Sequence, residues 1–145
     1  GARRGPLLFQ LPPWLKKDLP LLRDFLDALP AGVAAALEVR SDSWHDAAVY
    51  QALAERGVAL AVVDDEKQGE PPLVATAPFG YARLRRPGYD DAELRGWAQR
   101  FAAQPWQEVH VFFKHEDAGA GPVLARRFLA LAGEPSGEPR APAAG

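Results

Sequence analysis

Five short apolar runs recur along the chain, each separated from the next by a segment of helical periodicity or a long polar connection, and this alternation narrows the possible folds most. Pro6 to Leu11 reads as a first strand, after which Leu19, Leu22, Phe25, Leu26 and Leu29 recur at helical spacing between Pro13 and Pro30. Val33 to Val39 is the second strand run, and His45 to Arg56 the next helix, with Asp46 as cap and Gly57 as stop. Val58 to Val63 is the third strand. Asp64 to Pro78 is polar, contains Pro71-Pro72 and reads as a long connection into a fourth strand, Phe79 to Leu84. Asp90 and Glu93 then make a capping-box-like pair for a helix whose apolar face is Leu94, Trp97 and Phe101. Val109 to Phe113 is the fifth strand. Gly121-Pro122 opens a last helix that carries Leu124, Phe128 and Leu131 and ends at Gly133. Residues 134–145, rich in Pro, Gly and Ala, read as an unstructured tail.

Strands of this kind, all buried-looking and mostly joined through helices, imply right-handed crossovers and a parallel sheet. The expected class is therefore α/β, built of parallel (β/α) units. No Gly-x-Gly-x-x-Gly or Walker-type loop follows any strand, which argues against the nucleotide-binding doubly wound folds. A barrel is the serious alternative. A closed eight-stranded barrel takes about 250 residues, whereas these 145 supply five strands and about four helices. The expectation is a partial TIM-like barrel over residues 1–133, its open edges covered by further N-terminal strands or by self-association. The lack of any methionine fits a removed initiator before Gly1, or a piece of something longer, and the strand count favours the second.

With 19 acidic and 17 basic residues the net charge is −2, so an electrostatic grip on nucleic acid or anionic lipid is disfavoured. The absence of cysteine excludes disulfide scaffolds, thiolate metal sites, iron–sulfur clusters and cysteine nucleophiles. No run approaches the roughly 18 apolar residues of a membrane span, and the first residues lack the apolar core of a signal peptide. A cytoplasmic location is the default expectation, with no membrane partner.

Ligand sites of parallel α/β sheets lie at the carboxyl ends of the strands, and each strand supplies a polar group there. These are Gln10; Glu38 and Arg40; Asp64-Asp65; Arg83 and Arg85; and Lys114, His115, Glu116 and Asp117. Glu38 and Arg40, two apart, share a strand face, as do Arg83 and Arg85. Glu38 and Arg40 are either a self-satisfying internal ion pair or a device for recognising anions and hydroxyls. Asp64-Asp65 is either a turn former or a carboxylate pair able to hold a magnesium-like ion, which nothing in the spacing demands. His115 alone among three histidines stands at a strand end. The basic run of Arg83, Arg85 and Arg86 suits phosphate or carboxylate, or is a solvated strand end. Ser43 sits in no nucleophile elbow and reads as a cap or turn residue. No cofactor is implied.

Five strings together resemble one family, the domain of unknown function 72, or YecE-like barrel family. They are GPLLFQLPP (5–13), LEVRSDSW (37–44), VALAVVDD (58–65), YARLRRPGY (81–89) and VFFKHEDAGAGP (111–122). The resemblance implies a TIM-like barrel of which this chain matches strands four to eight, with pocket positions at Gln10, Glu38, Arg40, Asp64, Arg83, Lys114 and His115. The chain departs from the family pattern in three places. Ser41 stands where a His is frequent, Arg85-Arg86 where a His-Gly is frequent, and Lys114-His115 where two asparagines are frequent. These changes make the mouth more basic. The family carries no established reaction.

The reading is thus a protein binding a small anionic or polyhydroxylated ligand at the strand carboxyl ends, whether or not it turns that ligand over. Gln10, Arg40, Arg83, Arg85 and Lys114 would contact the ligand, and Glu38, Asp64 and His115 would be acid or base candidates. Two rivals stand beside it: a metal-assisted phosphoesterase or isomerase-like enzyme, with Asp64, Glu38 and His115 as ligands in the phosphoesterase case, and a noncatalytic binding or interaction module whose charged cluster is structural.

Overall fold

The computed structural model describes residues 5–114 together with 128, 130 and 132. The class is α/β and every strand pairing is parallel. The chain runs through β1 (Leu7–Gln10), α1 (Leu19–Ala28), β2 (Ala35–Glu38) and a single 3-10 turn at Asp42–Trp44. It continues through α2 (Ala47–Arg56), β3 (Ala59–Leu60), β4 (Val62–Asp64), β5 (Phe79–Leu84), α3 (Asp91–Ala102) and β6 (Glu108–Phe113). No helix among the described residues is long and apolar enough to cross a membrane.

The third expected strand is two. Its first half, β3, pairs with β2, and its second half, β4, pairs with β5, giving parallel sheets β1-β2-β3 and β4-β5-β6. The last rung on the β2 side is the Ala61 N–H to Leu37 carbonyl bond at 2.9 Å. The opposite edge of β3 is closed by a side chain. Thr76 Oγ1 accepts from Leu60 N–H at 2.9 Å and donates to the Val58 carbonyl at 2.6 Å, doing for two backbone groups what a neighbouring strand would do. Thr76 lies inside the stretch read from sequence as a plain connection.

The helices begin and end where local chemistry dictates. Asp18 caps α1 by accepting from Leu21 N–H, Asp46 caps α2 by accepting from Val49 N–H, and Asp90 and Glu93 form a reciprocal capping box on α3. Gly57 ends α2 at φ +63°, a left-handed conformation in which a side chain would be strained. Gly80 in β5 is needed for space, because a Cβ there would stand 2.5 Å from the Trp106 ring.

Packing separates the two faces of the sheets. On one face α1 and α2 bury Leu22, Leu26, Val49 and Leu53 against Leu37, Val39 and Leu60. On that same side α3 buries Leu94, Trp97 and Phe101 against Val62, Ala82 and Leu84, and Phe128 joins this group through Phe101 and Phe113. The other face carries small residues: Ala36 and Ala59 pack with Phe79 and Tyr81 across the seam between the sheets. Parallel strands with helices on one side and an inner layer of Ala36, Ala59, Phe79 and Tyr81 on the other make a segment of barrel wall, which is not closed among the described residues. The Gly121-Pro122 helix start, Leu124, Leu131 and the tail from 134 onward lie outside the described residues.

Candidate functional site

The strand ends converge as two clusters, one on each face. Register puts Gln10 beside Glu38, and alternation along β2 and β5 puts Glu38 and Arg83 on the concave face that also carries Ala36 and Tyr81. Arg83 Nη1 donates to Glu38 Oε1 at 2.5 Å, and Gln10 Nε2 donates to the same oxygen at 3.4 Å. Arg40 Nη1 stands 3.5 Å from Glu38 Oε2. The Glu38 side chain is 1 % exposed, that of Arg83 18 % and that of Arg40 30 %, so a buried carboxylate is fronted by two guanidinium groups that reach solvent.

This cluster is only half satisfied. Glu38 Oε2 and Arg40 Nε are both buried, and among the described residues neither makes a hydrogen bond. Leaving a buried polar atom without a partner costs roughly 1–3 kcal/mol, and such atoms in a native structure call for an explanation. Two arginines against one glutamate also leave this cluster, among the described residues, with an excess positive charge. Tyr81, buried on the same face, was not among the residues singled out from sequence, although its spacing two before Arg83 could have flagged it. Burial first, and then the Glu38 charge, push its hydroxyl above the ordinary tyrosine pKa, while Arg83 pulls the other way. It is held neutral, as a donor.

Asp64 belongs to the opposite face. It pairs in register with Leu84, whose side chain packs against α3. Both its oxygens accept from Arg86 Nε at 3.1 Å, and Oδ2 also accepts from the Tyr89 hydroxyl at 2.8 Å. The Arg86 N–H donates to that same hydroxyl at 3.1 Å. Burial and the bond to Asp64 raise the Tyr89 pKa strongly, so the hydroxyl stays a donor. The Asp64 carboxylate is therefore committed. An open groove of about 490 Å³ runs beside it, bordered by Arg86, Glu93, Trp97 and Arg100. Arg100 in turn stacks 4.2 Å above the Trp97 ring and pairs with Glu70 at 3.0 Å.

The remaining expected residues fall elsewhere. Asp65 accepts from Lys67 N–H and Gln68 N–H at 2.9 Å each, which makes it a turn former. Arg85 N–H donates to the Asp64 carbonyl at 2.8 Å and Lys114 N–H to the Leu84 carbonyl at 3.2 Å, so both extend the ladders at the carboxyl ends. Ser43 Oγ accepts from Lys17 N–H at 2.8 Å, in a loop contact. His115, Glu116 and Asp117 lie outside the described residues. A cavity of about 240 Å³ lies beside β4, lined by Val39, Val63, His45 and Asp42 among others. His45 Nδ1 lies 2.9 Å from the Tyr50 hydroxyl, and burial lowers its pKa against a smaller opposing pull from Asp42.

The family model described as a protein of unknown function, DUF72, matches residues 1–144. The chain belongs to the DUF72 family. Solved DUF72 structures share the fold. One from Enterococcus faecalis superposes with a TM-score of 0.73 at 16 % identity, over 90 % of this chain and 59 % of that one. One from Thermotoga maritima gives 0.73 at 23 % identity, over 88 % of this chain and 57 % of that one. This DUF72 chain thus spans less than two thirds of the length of the solved relatives it matches. No curated protein matches the sequence. The DUF72 positions taken from the sequence motifs divide as the geometry does: Gln10, Glu38, Arg40 and Arg83 meet on the concave face, whereas Asp64 is bound on the helix-covered face.

Proposed function

We propose that this DUF72 chain contributes a binding site for a small anionic or polyhydroxylated ligand at the carboxyl ends of β1, β2 and β5, with Arg40 and Arg83 as the anion contacts and Gln10 beside them. One observation carries the reading: among the described residues a fully buried Glu38 faces two arginines and can neutralise only one, so this cluster holds an excess positive charge in a partly desolvated place. Lys114 and Arg85, at neighbouring strand ends, add to that charge. Glu38 is the acid or base candidate within the cluster, and His115 a further one. Asp64 serves the fold in this reading, because its oxygens are already taken by Arg86 and Tyr89.

The metal-assisted alternative is less favoured, because it needs Glu38 and Asp64 to share an ion from opposite faces of the sheet. The purely structural alternative would leave Glu38 Oε2 and Arg40 Nε without a purpose. Among the described residues β1 and β6 each have one neighbouring strand, and Phe112 on β6 is 40 % exposed, which supports association along these edges.

Isothermal titration of the chain with inorganic phosphate at fixed ionic strength tests the reading. Arg40→Ala should abolish the binding heat, while Tyr89→Phe, on the other face, should keep it. Phosphate binding that survives Arg40→Ala would place the anion elsewhere.

A further inference from the structure

We infer that the anion taken by this site carries a hydroxyl next to its charged group, as in an α-hydroxy carboxylate or a phosphorylated polyol, and that Arg40 is the arm that moves to receive it. The inference rests on the anion-binding reading above and adds the ligand's class.

The two arginines are not equivalent. Arg83 is locked, with Nη1 on Glu38 Oε1 at 2.5 Å. Arg40 is held loosely, its Nη1 standing 3.5 Å from Oε2 without forming a hydrogen bond, and its Nε is buried with no acceptor among the described residues. A guanidinium offers two forks, and with Nη1 turned to Glu38 the side-on fork of Nε and Nη2 is the one left over. That fork matches two oxygens of a carboxylate or phosphate. An anion that draws Arg40 outward supplies the acceptor Nε lacks.

The same movement uncovers Glu38 Oε2, a carboxylate oxygen with no donor among the described residues. A bare anion cannot satisfy it and would be repelled by it. A hydroxyl can, since it donates to a carboxylate while the rest of the ligand stays on the arginine. Two such atoms, one donor and one acceptor on side chains 3.5 Å apart, thus specify a ligand with an acceptor pair and a hydroxyl donor a few bonds away. Tyr81, kept protonated on the same face, offers a further donor to the ligand's oxygens.

Titration of the intact chain with matched pairs tests this at pH 8, where phosphate monoesters are dianions without a P–OH donor: glycolate against acetate, and glycerol 3-phosphate against propyl phosphate. The hydroxylated member should bind about tenfold more tightly or better, as expected for a hydrogen bond to a charged acceptor. The pair that shows the gap tells whether the charge is carboxylate or phosphate. In Glu38→Gln the amide oxygen stays on Arg83 and the NH2 replaces Oε2, so anion binding should persist with the gap erased. The Arg40 Nε–H proton resonance should shift on binding of the hydroxylated ligand, a readout on the unmodified chain. Equal affinities within both pairs would overturn the hydroxyl requirement and leave the anion site standing. A gap that survives Glu38→Gln would do the same. Binding of none of the four would overturn both readings.

Discussion

Arg83 Nη1 reaches Glu38 Oε1 at 2.5 Å across 45 positions of sequence, from the fourth apolar run back to the second. The contact ties the two parallel sheets together on their concave side, just where the strand pairing changes from β2-β3 to β4-β5. It fixes the carboxylate on which the proposed site is built.

Removing the arginine should therefore damage the fold as well as the site. Arg83→Met keeps the stem and deletes the charge, leaving Glu38 buried with only the loosely placed Arg40. A loss of about 3–5 kcal/mol is expected in urea unfolding. The double variant Arg83→Met/Glu38→Gln should recover a large part of it, because no uncompensated charge remains in the interior. Additive losses in the double variant would show that the pair does not couple.

Thr76 tests the strand switch. Thr76→Val preserves shape but leaves the Leu60 N–H and the Val58 carbonyl without partners, at roughly 1–3 kcal/mol each. Thr76→Ser, which keeps the hydroxyl, should retain most of the stability. Amide exchange at Leu60 should quicken in the valine variant, and an unchanged rate would mean that the hydroxyl is not closing that edge.

His45 should make stability depend on pH in a predictable direction. Burial lowers its folded pKa below the ordinary 6.5, so the unfolded chain binds the proton more readily. Its contribution is fully present above pH 6.5 and is lost as pH falls through the lowered folded value. The urea midpoint should drop on acidification from neutral pH, and His45→Gln should flatten that part of the profile. A profile identical in the two proteins would show that His45 does not titrate differently on folding.

Much of the architecture is legible in the sequence because it rests on local rules. Alternating apolar runs and helical periods announce parallel (β/α) units, and Asp46, Gly57 and the Asp90–Glu93 pair mark helix ends through bonds to neighbours a few residues away. The split of the third strand at Ala61 is not legible. Val58 to Val63 is apolar throughout, and only the positions of β2, β5 and Thr76 decide which half pairs with which neighbour.

The site shows the same division. Sequence alone determines that ionisable residues sit at strand ends and, by the two-residue alternation, that Glu38 shares a face with Arg40 and Arg83 with Arg85. It cannot tell which face of one strand matches which face of another, since that depends on register and on the side the helices cover. Tertiary structure settled this by joining Gln10, Glu38, Arg40 and Arg83 on the concave side and turning Asp64 toward Arg86 and Tyr89 on the other. The physical reason is that a one-residue shift in a strand reverses every side chain, so partnership between distant strands is fixed only when the sheet has formed.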